Sequence, residues 1–311
     1  MVPDGPCGAP RGIAIPDRRA GASGASSTST MTSVAHFDLA CTATALYVHP
    51  VKACAPLAVD ELVLDARGAA AGDREWAVVD AEGAVTWQGA YARLALVHPA
   101  YEGAGLRLRA AGHGDIATPP TLAPRRVKIW SDLAAAHEEF DATDAGDAVA
   151  GWLSGVVGAP LRLVRLGGDA LARAGNNALH LVFSPSVAAV DADLAAQGRG
   201  PADPRRYRPN IVLSMPPGDA GVEFIEESLE ALEWPQGDAT LPLPITAPCL
   251  RCPVPNVDPA SAEVDVTVGD TLARLARARR ADGAVVFGVY ARGPAGARLR
   301  VGDVAGMVVA F

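Results

Sequence analysis

The sequence predicts a β-rich α+β protein built in two halves that meet near residues 160 to 168. Three features point there. From Ala43 onward, short apolar runs alternate with turn residues, which is the pattern of strands. Only a few segments space their apolar residues as a helix does. The chain has 311 residues, half of them hydrophobic, enough for one large or two ordinary domains around a real core.

The first 38 residues are set apart. They are rich in Gly, Ala, Ser, Thr and Pro, cannot bury enough surface to offset their ordering entropy, and read as a disordered tail. Arg18-Arg19 raises a twin-arginine signal, but "AGASGASSTST" follows where an apolar stretch is needed. Met31 offers an alternative start, just ahead of the organised sequence.

In the first half, "TALYVHPVK", "ELVLDARG", "REWAVVDAEGAVTWQ", "RLALVHPAY" and "GLRLRAAG" read as strands, with "DAEG" as a hairpin turn. This half reads as a β-barrel or curled sheet. A helix follows, in which Ala148, Trp152, Leu153 and Val156 share one face and Gly158-Ala159-Pro160 ends it. The second half begins with the strand "ALHLVFS" and a helix "SVAAVDADLAAQG" that takes Ser186 as N-cap. After the polar linker "RGPADPRR" comes the strand "RPNIVLSM". A helix over "TVGDTLARLARARRADG", with Leu272, Leu275 and Ala276 on its apolar side, precedes the strands "AVVFGVYA", "ARLRVGD" and "AGMVVAF".

Composition excludes several classes of function. A net charge of −8 and no basic run longer than an arginine pair argue against a nucleic-acid surface. No apolar run approaches the roughly 20 residues that span a bilayer. Five scattered cysteines, Cys7, Cys41, Cys54, Cys249 and Cys252, do not form a disulfide framework and predict a reducing, cytoplasmic compartment.

Chemistry concentrates in "PCLRCPVPNVDP". A zinc site needs further Cys or His at matching spacing, which the six histidines do not supply. A thioredoxin-like couple needs a helix start, and Pro253 and Pro255 oppose one. Two readings stay open: a buried inert pair, or one thiolate on a soft redox metal held mostly by its own organic cofactor, with Arg251 beside it. Elsewhere Lys52 ends "HPVK", Arg74 follows a glycine turn in "GDREW", and Arg208 and Asn210 flank a proline in "RRYRPNIVL". Such cations are either solvated or phosphate-binding.

Together these stretches resemble the MOSC family, named for the C-terminal domain of molybdenum-cofactor sulfurase. They resemble most its two-part branch of amidoxime-reducing components and bacterial proteins that reduce N-hydroxylated bases. The resemblance runs from about residue 43 to 309, through "LYVHPVKAC", "GDREWAVVDAEGAVT", "LHLVFSPSVAAV", "RRYRPNIVL", "PCLRCPVPNVDP", "VFGVYA" and "RVGD". It implies an N-terminal β-barrel domain over 39–165, packed on a MOSC β-barrel domain with peripheral helices over 166–311, and a molybdenum-pyranopterin cofactor. By the same resemblance Cys252 is the catalytic residue and molybdenum ligand, Lys52 and Arg74 hold the cofactor phosphate, and Arg208 and Asn210 hold the pterin. Arg251 contacts the cofactor beside the ligand, and Asn176 and Asn177, which stand where relatives carry acidic or hydroxylic residues, are expected to bind it too. Cys249 is a neighbour of lesser weight.

The chain departs from the family pattern in places. Ala53 replaces a common serine, "TWQGAYARL" is one residue longer than usual, and "PVPNVDP" replaces a threonine-rich stretch. The implied activity is reduction of small N-hydroxylated compounds, amidoximes or hydroxylaminopurines, by oxygen-atom abstraction. With no four-cysteine iron–sulfur spacing and no pyridoxal-phosphate domain, electrons are expected from a separate ferredoxin, flavoprotein reductase or cytochrome b5-like partner. The alternatives are a cofactor carrier or sulfur-transfer module without turnover, and a structural barrel with buried cysteines.

Overall fold

The architecture comes from a computed structural model, which describes residues 39–131, 134–173, 179–216, 222–237 and 239–310. The predicted tail, Asn176 and Asn177 lie outside the described residues. The first half contains β1 (Ala40–Val48), β2 (Leu57–Val59), β3 (Glu61–Val63), β4 (Trp76–Val79), β5 (His98–Glu102), β6 (Gly105–Ala110), β7 (Gly114–Ala117), β8 (Ala123–Ser131), β9 (Ala136–Asp144) and helix α1 (Gly146–Val157). The second contains β10 (Arg162–Leu166), α2 (Gly168–Ala172), β11 (Leu179–Phe183), α3 (Ser184–Ala196), β12 (Ile211–Ser214), β13 (Leu229–Gln236), β14 (Ala239–Leu250), α4 (Val266–Arg279), β15 (Val286–Ala291), β16 (Arg298–Arg300) and β17 (Val304–Val309).

Seven strands close into a barrel in the order β12, β11, β15, β14, β13, β17, β1 and back to β12. The stave that completes it, β1, comes from the far end of the sequence. Its inward residues are Cys41 and Ala43, then Leu46 and Val48. The switch from odd to even positions coincides with a bulge against β12 between Ala43 and Ala45, as an extra residue must flip the side-chain phase. Leu181, Phe183, Ile211, Leu232, Trp234 and Leu299 fill the interior. A side chain of that size contributes about 1.5–3 kcal/mol when fully buried. Strands β11 and β12 are parallel and joined by α3, a connection that antiparallel neighbours do not need.

Strand β14 carries Pro242, Pro244 and Pro248, which cannot donate to a ladder. It changes partner along its length: residues 239–244 pair with β13, and residues 245–250 pair with β15 through two bulges. Those irregularities bring the Cys249–Cys252 turn out at the end of the strand. β2 adds to β1 at the barrel edge and β3 pairs with β16; the remaining strands of the first half form a four-stranded sheet with β10, in the order β4-β10-β9-β8, and a three-stranded one, β5-β6-β7. These share a core with α1 through Trp76, Leu94, Leu108, Leu153 and Leu163.

Several local expectations change. On α1 the buried face runs through Val149, Leu153 and Val156, while Ala148 is exposed; Gly158 caps the helix at φ 84°. Residues 92–96 wind into a 3-10 turn, so the strand begins only at His98. Helix α3 starts at Ser184, and Ser186 lies inside its first turn, where its hydroxyl donates to Glu226 at 2.7 Å and does not cap. The "DAEG" turn forms, but its second arm is short: it bridges the first at Val85, Thr86 N donates to Val78 O at 2.8 Å, and Thr86–Gln88 lie outside any strand. Among the described residues no helix is long and apolar enough to cross a membrane.

Candidate molybdenum-cofactor site

The "HPVK" and "GDREW" turns are laced together by main-chain bonds. Arg74 N donates to His49 O at 2.7 Å, Trp76 N to Pro50 O at 3.0 Å, and Lys52 N to Trp76 O at 2.8 Å. Asp73, fully buried, ties this turn to the barrel. One carboxylate oxygen accepts from His49 N at 2.7 Å and from Asn210 Nδ2 at 3.1 Å, and the other pairs with Arg74. Arg208 follows a 3-10 turn over Pro204–Tyr207 and sends Nη1 to Cys54 O at 2.7 Å. Two sequence-distant stretches thereby become one surface.

Three residues of that surface, Ala53, Arg74 and Arg208, have positive φ of 73°, 53° and 56°. For residues with a Cβ this conformation costs about 1–2 kcal/mol each. It is tolerated here because the surrounding bonds hold it, and such strain gathers at functional sites.

Together these elements line one cavity of about 860 Å³. Lys52, Arg74, Arg173, Arg208 and Arg251 supply five cations to its wall, around the exposed Cys252. Burial, then the nearby Arg173 and Arg74, lowers the Lys52 ammonium from its ordinary 10.5 to about 8. Burial, then Arg74, likewise brings Arg208 down to about 10. Burial and the same arginines hold His49 well below the usual imidazole range, hence neutral. Its Nε2 lies 3.0 Å from Pro209 O. Two of these cations are braced from within, Arg74 by Asp73 and Arg251 by the Cys249 sulfur. Nη2 of Arg208 and Nε of Arg251 are buried with no hydrogen-bond partner among the described residues, and Cys252 is an acidic group beside the Lys52 ammonium.

The two cysteines of the CxxC have opposite surroundings. Cys252 is exposed in the cavity, whereas Cys249 is 2% exposed. The Cys249 sulfur sits 3.1 Å from both Arg251 Nη1 and the Tyr290 hydroxyl. Burial raises its thiol value, but His180, Arg251 and Tyr290 outweigh burial and hold it well below the ordinary value. Arg251 reaches on to Tyr207 O at 3.1 Å, and its N donates to Val285 O at 2.8 Å. By accepting from Arg251, the Cys249 sulfur positions that guanidinium in the cavity wall. Gly288, at φ 74°, lets β15 pass this close: a Cβ there would lie 2.5 Å from Leu181 O and 2.6 Å from His180 Nε2. By contrast, burial pushes the Cys41 and Cys54 thiols up to about 12, so they are inert.

Of the residues singled out from sequence, Lys52, Arg74, Arg208, Arg251 and Cys252 line this cavity. Asn210 does not. Its side chain is spent inside the protein, donating to Tyr47 O and Asp73 at 3.1 Å and accepting from His180 N at 3.1 Å and Arg74 at 3.4 Å. It is a pin beneath the site, not a direct contact. Sequence reasoning missed Asp73, His180, Tyr207 and Tyr290. It also missed Arg206, which holds the loop after Cys252 through Pro255 O at 3.2 Å and Asp258 at 2.5 Å. Only Asp73 had a local signal, a carboxylate inside the glycine turn beside Arg74.

The donor set fits an anionic cofactor with a phosphate and a thiolate-ligated soft metal. Among the described residues no cluster of three His, Cys, Asp or Glu could share a metal ion, so a metal at Cys252 would have one protein ligand and take the rest from its cofactor.

Comparison with known proteins gives the same direction. Residues 40–160 match the MOSC N-terminal beta barrel domain and residues 162–305 the MOSC domain. Over 256 residues the chain is 29% identical to a molybdenum cofactor sulfurase of Drosophila grimshawi, covering 79% of this chain and 31% of that protein. It therefore spans less than a third of the sulfurase's length. Over 237 residues it is 29% identical to mitochondrial amidoxime-reducing component 1 of Homo sapiens, covering 69% of this chain and 65% of that one. A crystal structure of the YUAD protein from Bacillus subtilis aligns over 88% of this chain and 98% of its own, at 12% identity and a TM-score of 0.44. With the two domains matched in order, the chain belongs to the MOSC domain family and carries a MOSC N-terminal beta barrel domain ahead of its MOSC domain.

Proposed function

We propose that this protein is a molybdenum-cofactor-dependent oxidoreductase that takes the oxygen from N-hydroxylated compounds such as amidoximes and hydroxylaminopurines. The observation that carries the reading is the gathering of Lys52, Arg74, Arg208 and Arg251 around an exposed cysteine, in a chain whose net charge is −8. Lys52 and Arg74 would hold the cofactor phosphate, Arg208 and Arg251 its pterin end, and the Cys252 thiolate would ligate molybdenum. When bound, the cofactor supplies two-electron oxygen-atom transfer.

The residues of the chain supply the socket. Their cations neutralise the anionic group without moving, because Asp73, Asn210 and Cys249 already fix the side chains of Arg74 and Arg251. The overall reaction consumes two electrons and two protons and converts an N–OH group to N–H plus water. The electrons would come from a separate ferredoxin, flavoprotein reductase or cytochrome b5-like donor.

A carrier or sulfur-transfer reading shares the cavity and Cys252, and the sulfurase relatives favour it. One assay separates the two. Protein made in a cofactor-producing host and given an artificial donor should convert benzamidoxime to benzamidine. Full metal loading with no turnover of benzamidoxime or hydroxylaminopurine would favour the carrier.

A further inference from the structure

The cavity has a second wall, apart from the lysine and arginine side chains assigned to the cofactor. Thr86, Trp87 and Gln88 follow the "DAEG" turn, where the chain leaves the sheet after a last bond from Thr86 N to Val78 O, and all three line the cavity. Thr86 and Gln88 are each 6% exposed. No side-chain hydrogen bond ties either residue to the described protein, and both face the cavity. An amide and a hydroxyl that are largely buried yet open to a cavity can exchange water for a polar ligand.

Trp87 is the exposed member of the three, at 38%, with its ring lying over Gly89 where a Cβ would collide with it. Trp130, 50% exposed, and His137 meet edge to face at 5.3 Å and line the same cavity. This side of the cavity is aromatic and polar, with Asp80 at the turn before Thr86 and Arg173 donating to Trp130 O at 2.9 Å.

Resting on the reductase reading, we propose that Thr86 and Gln88 form the substrate wall of the cavity, and that Trp87 makes it selective for planar aromatic N-hydroxylated compounds. A glutamine amide offers two donors and an acceptor. An amidoxime, or a hydroxylamino group beside a ring nitrogen, offers a matching N–H donor and nitrogen acceptor in one plane. The Thr86 hydroxyl can donate to the N–O oxygen, and the indole face at the mouth stacks on the aryl group.

The test uses cofactor-loaded, full-length protein and compares benzamidoxime with acetamidoxime, which keeps the reacting head and removes the ring. Gln88→Ala should raise KM for both about tenfold, as expected for a lost buried hydrogen bond, with kcat changed less than about threefold. Trp87→Ala should raise KM for benzamidoxime alone. Calorimetric binding of the product benzamidine should weaken about tenfold in Gln88→Ala, with molybdenum content and melting temperature unchanged, and Thr86→Val gives a milder check on folding. Unweakened benzamidine binding in Gln88→Ala, or loss of molybdenum from it, overturns the assignment whether or not amidoximes are reduced. Benzamidine binding that still depends on Gln88 in a protein that reduces neither amidoxime keeps the wall and sinks the reductase reading.

Discussion

Replacing Lys52 by methionine should make the cofactor-free protein more stable at neutral pH while weakening its hold on the cofactor. The ammonium is half-buried in the cavity wall, where burial and the nearby Arg173, Arg74 and Arg208 outweigh the opposing pull of Cys252. A tenfold change in proton affinity is worth about 1.4 kcal/mol, so lowering the lysine from 10.5 to about 8 corresponds to a gross penalty of about 3 kcal/mol. Solvent in the open cavity trims this to about 2 kcal/mol. The folded value lies below the unfolded one, so the penalty is complete below pH 8 and fades as the pH rises from 8 to 10.5. Urea denaturation of the cofactor-free wild type and Lys52→Met at pH 7, 8, 9 and 10 reads both terms. The variant should be the more stable at pH 7 by about 2 kcal/mol, with the difference shrinking as the pH rises. A variant less stable than wild type at pH 7, or a difference constant across the series, would refute this.

Asp73→Asn removes the carboxylate that pairs with Arg74 and accepts from His49 N and Asn210. It should cost about 3 kcal/mol by denaturant midpoint and lower molybdenum content with it. Cys249→Ala leaves Arg251 buried without its sulfur acceptor and should cost about 1–3 kcal/mol. Cys252→Ala, at an exposed position, should stay within about 0.5 kcal/mol of wild type on the same assay. Glu226 is buried, and burial holds its carboxyl up at about 7 from 4.5, against the hydrogen bond from Ser186. Its folded value lies above the unfolded one, so its contribution is complete below pH 4.5 and lost as the pH rises through 7. Glu226→Gln should therefore match wild type in acid and exceed it by about 3 kcal/mol at pH 8; thermal melts at both values check this.

What the sequence revealed and what it concealed divide along contact range. The strand runs, α1 with its Gly158 stop, and α4 were legible because periodicity and capping are local. Lys52, Arg74, Arg208 and Arg251 were legible because short motifs carry them. The Cys249 cage was not, since Tyr290 lies 41 residues from Cys249 in sequence and is brought there only by the pairing of β14 with β15. Asn210 read as a ligand contact because polarity beside a proline shows capacity to bond, not the partner; its bonds go to Tyr47, Asp73 and His180. Ser186 has the chemistry of a cap, but burial beside Glu226 uses its hydroxyl elsewhere. Thr86 and Gln88 belong to a stretch that reads as a strand arm, and only the early departure of the chain from the sheet turns both into the cavity.

Molybdenum content tests the central claim most directly. Wild type and Cys252→Ala, produced together in a host that makes the cofactor and purified under identical conditions, should differ: near-stoichiometric metal in the wild type and little or none in the variant, with both equally folded. Equal molybdenum in the two proteins would contradict Cys252 as the ligand and, with it, the assignment of the cationic cavity as the cofactor's seat.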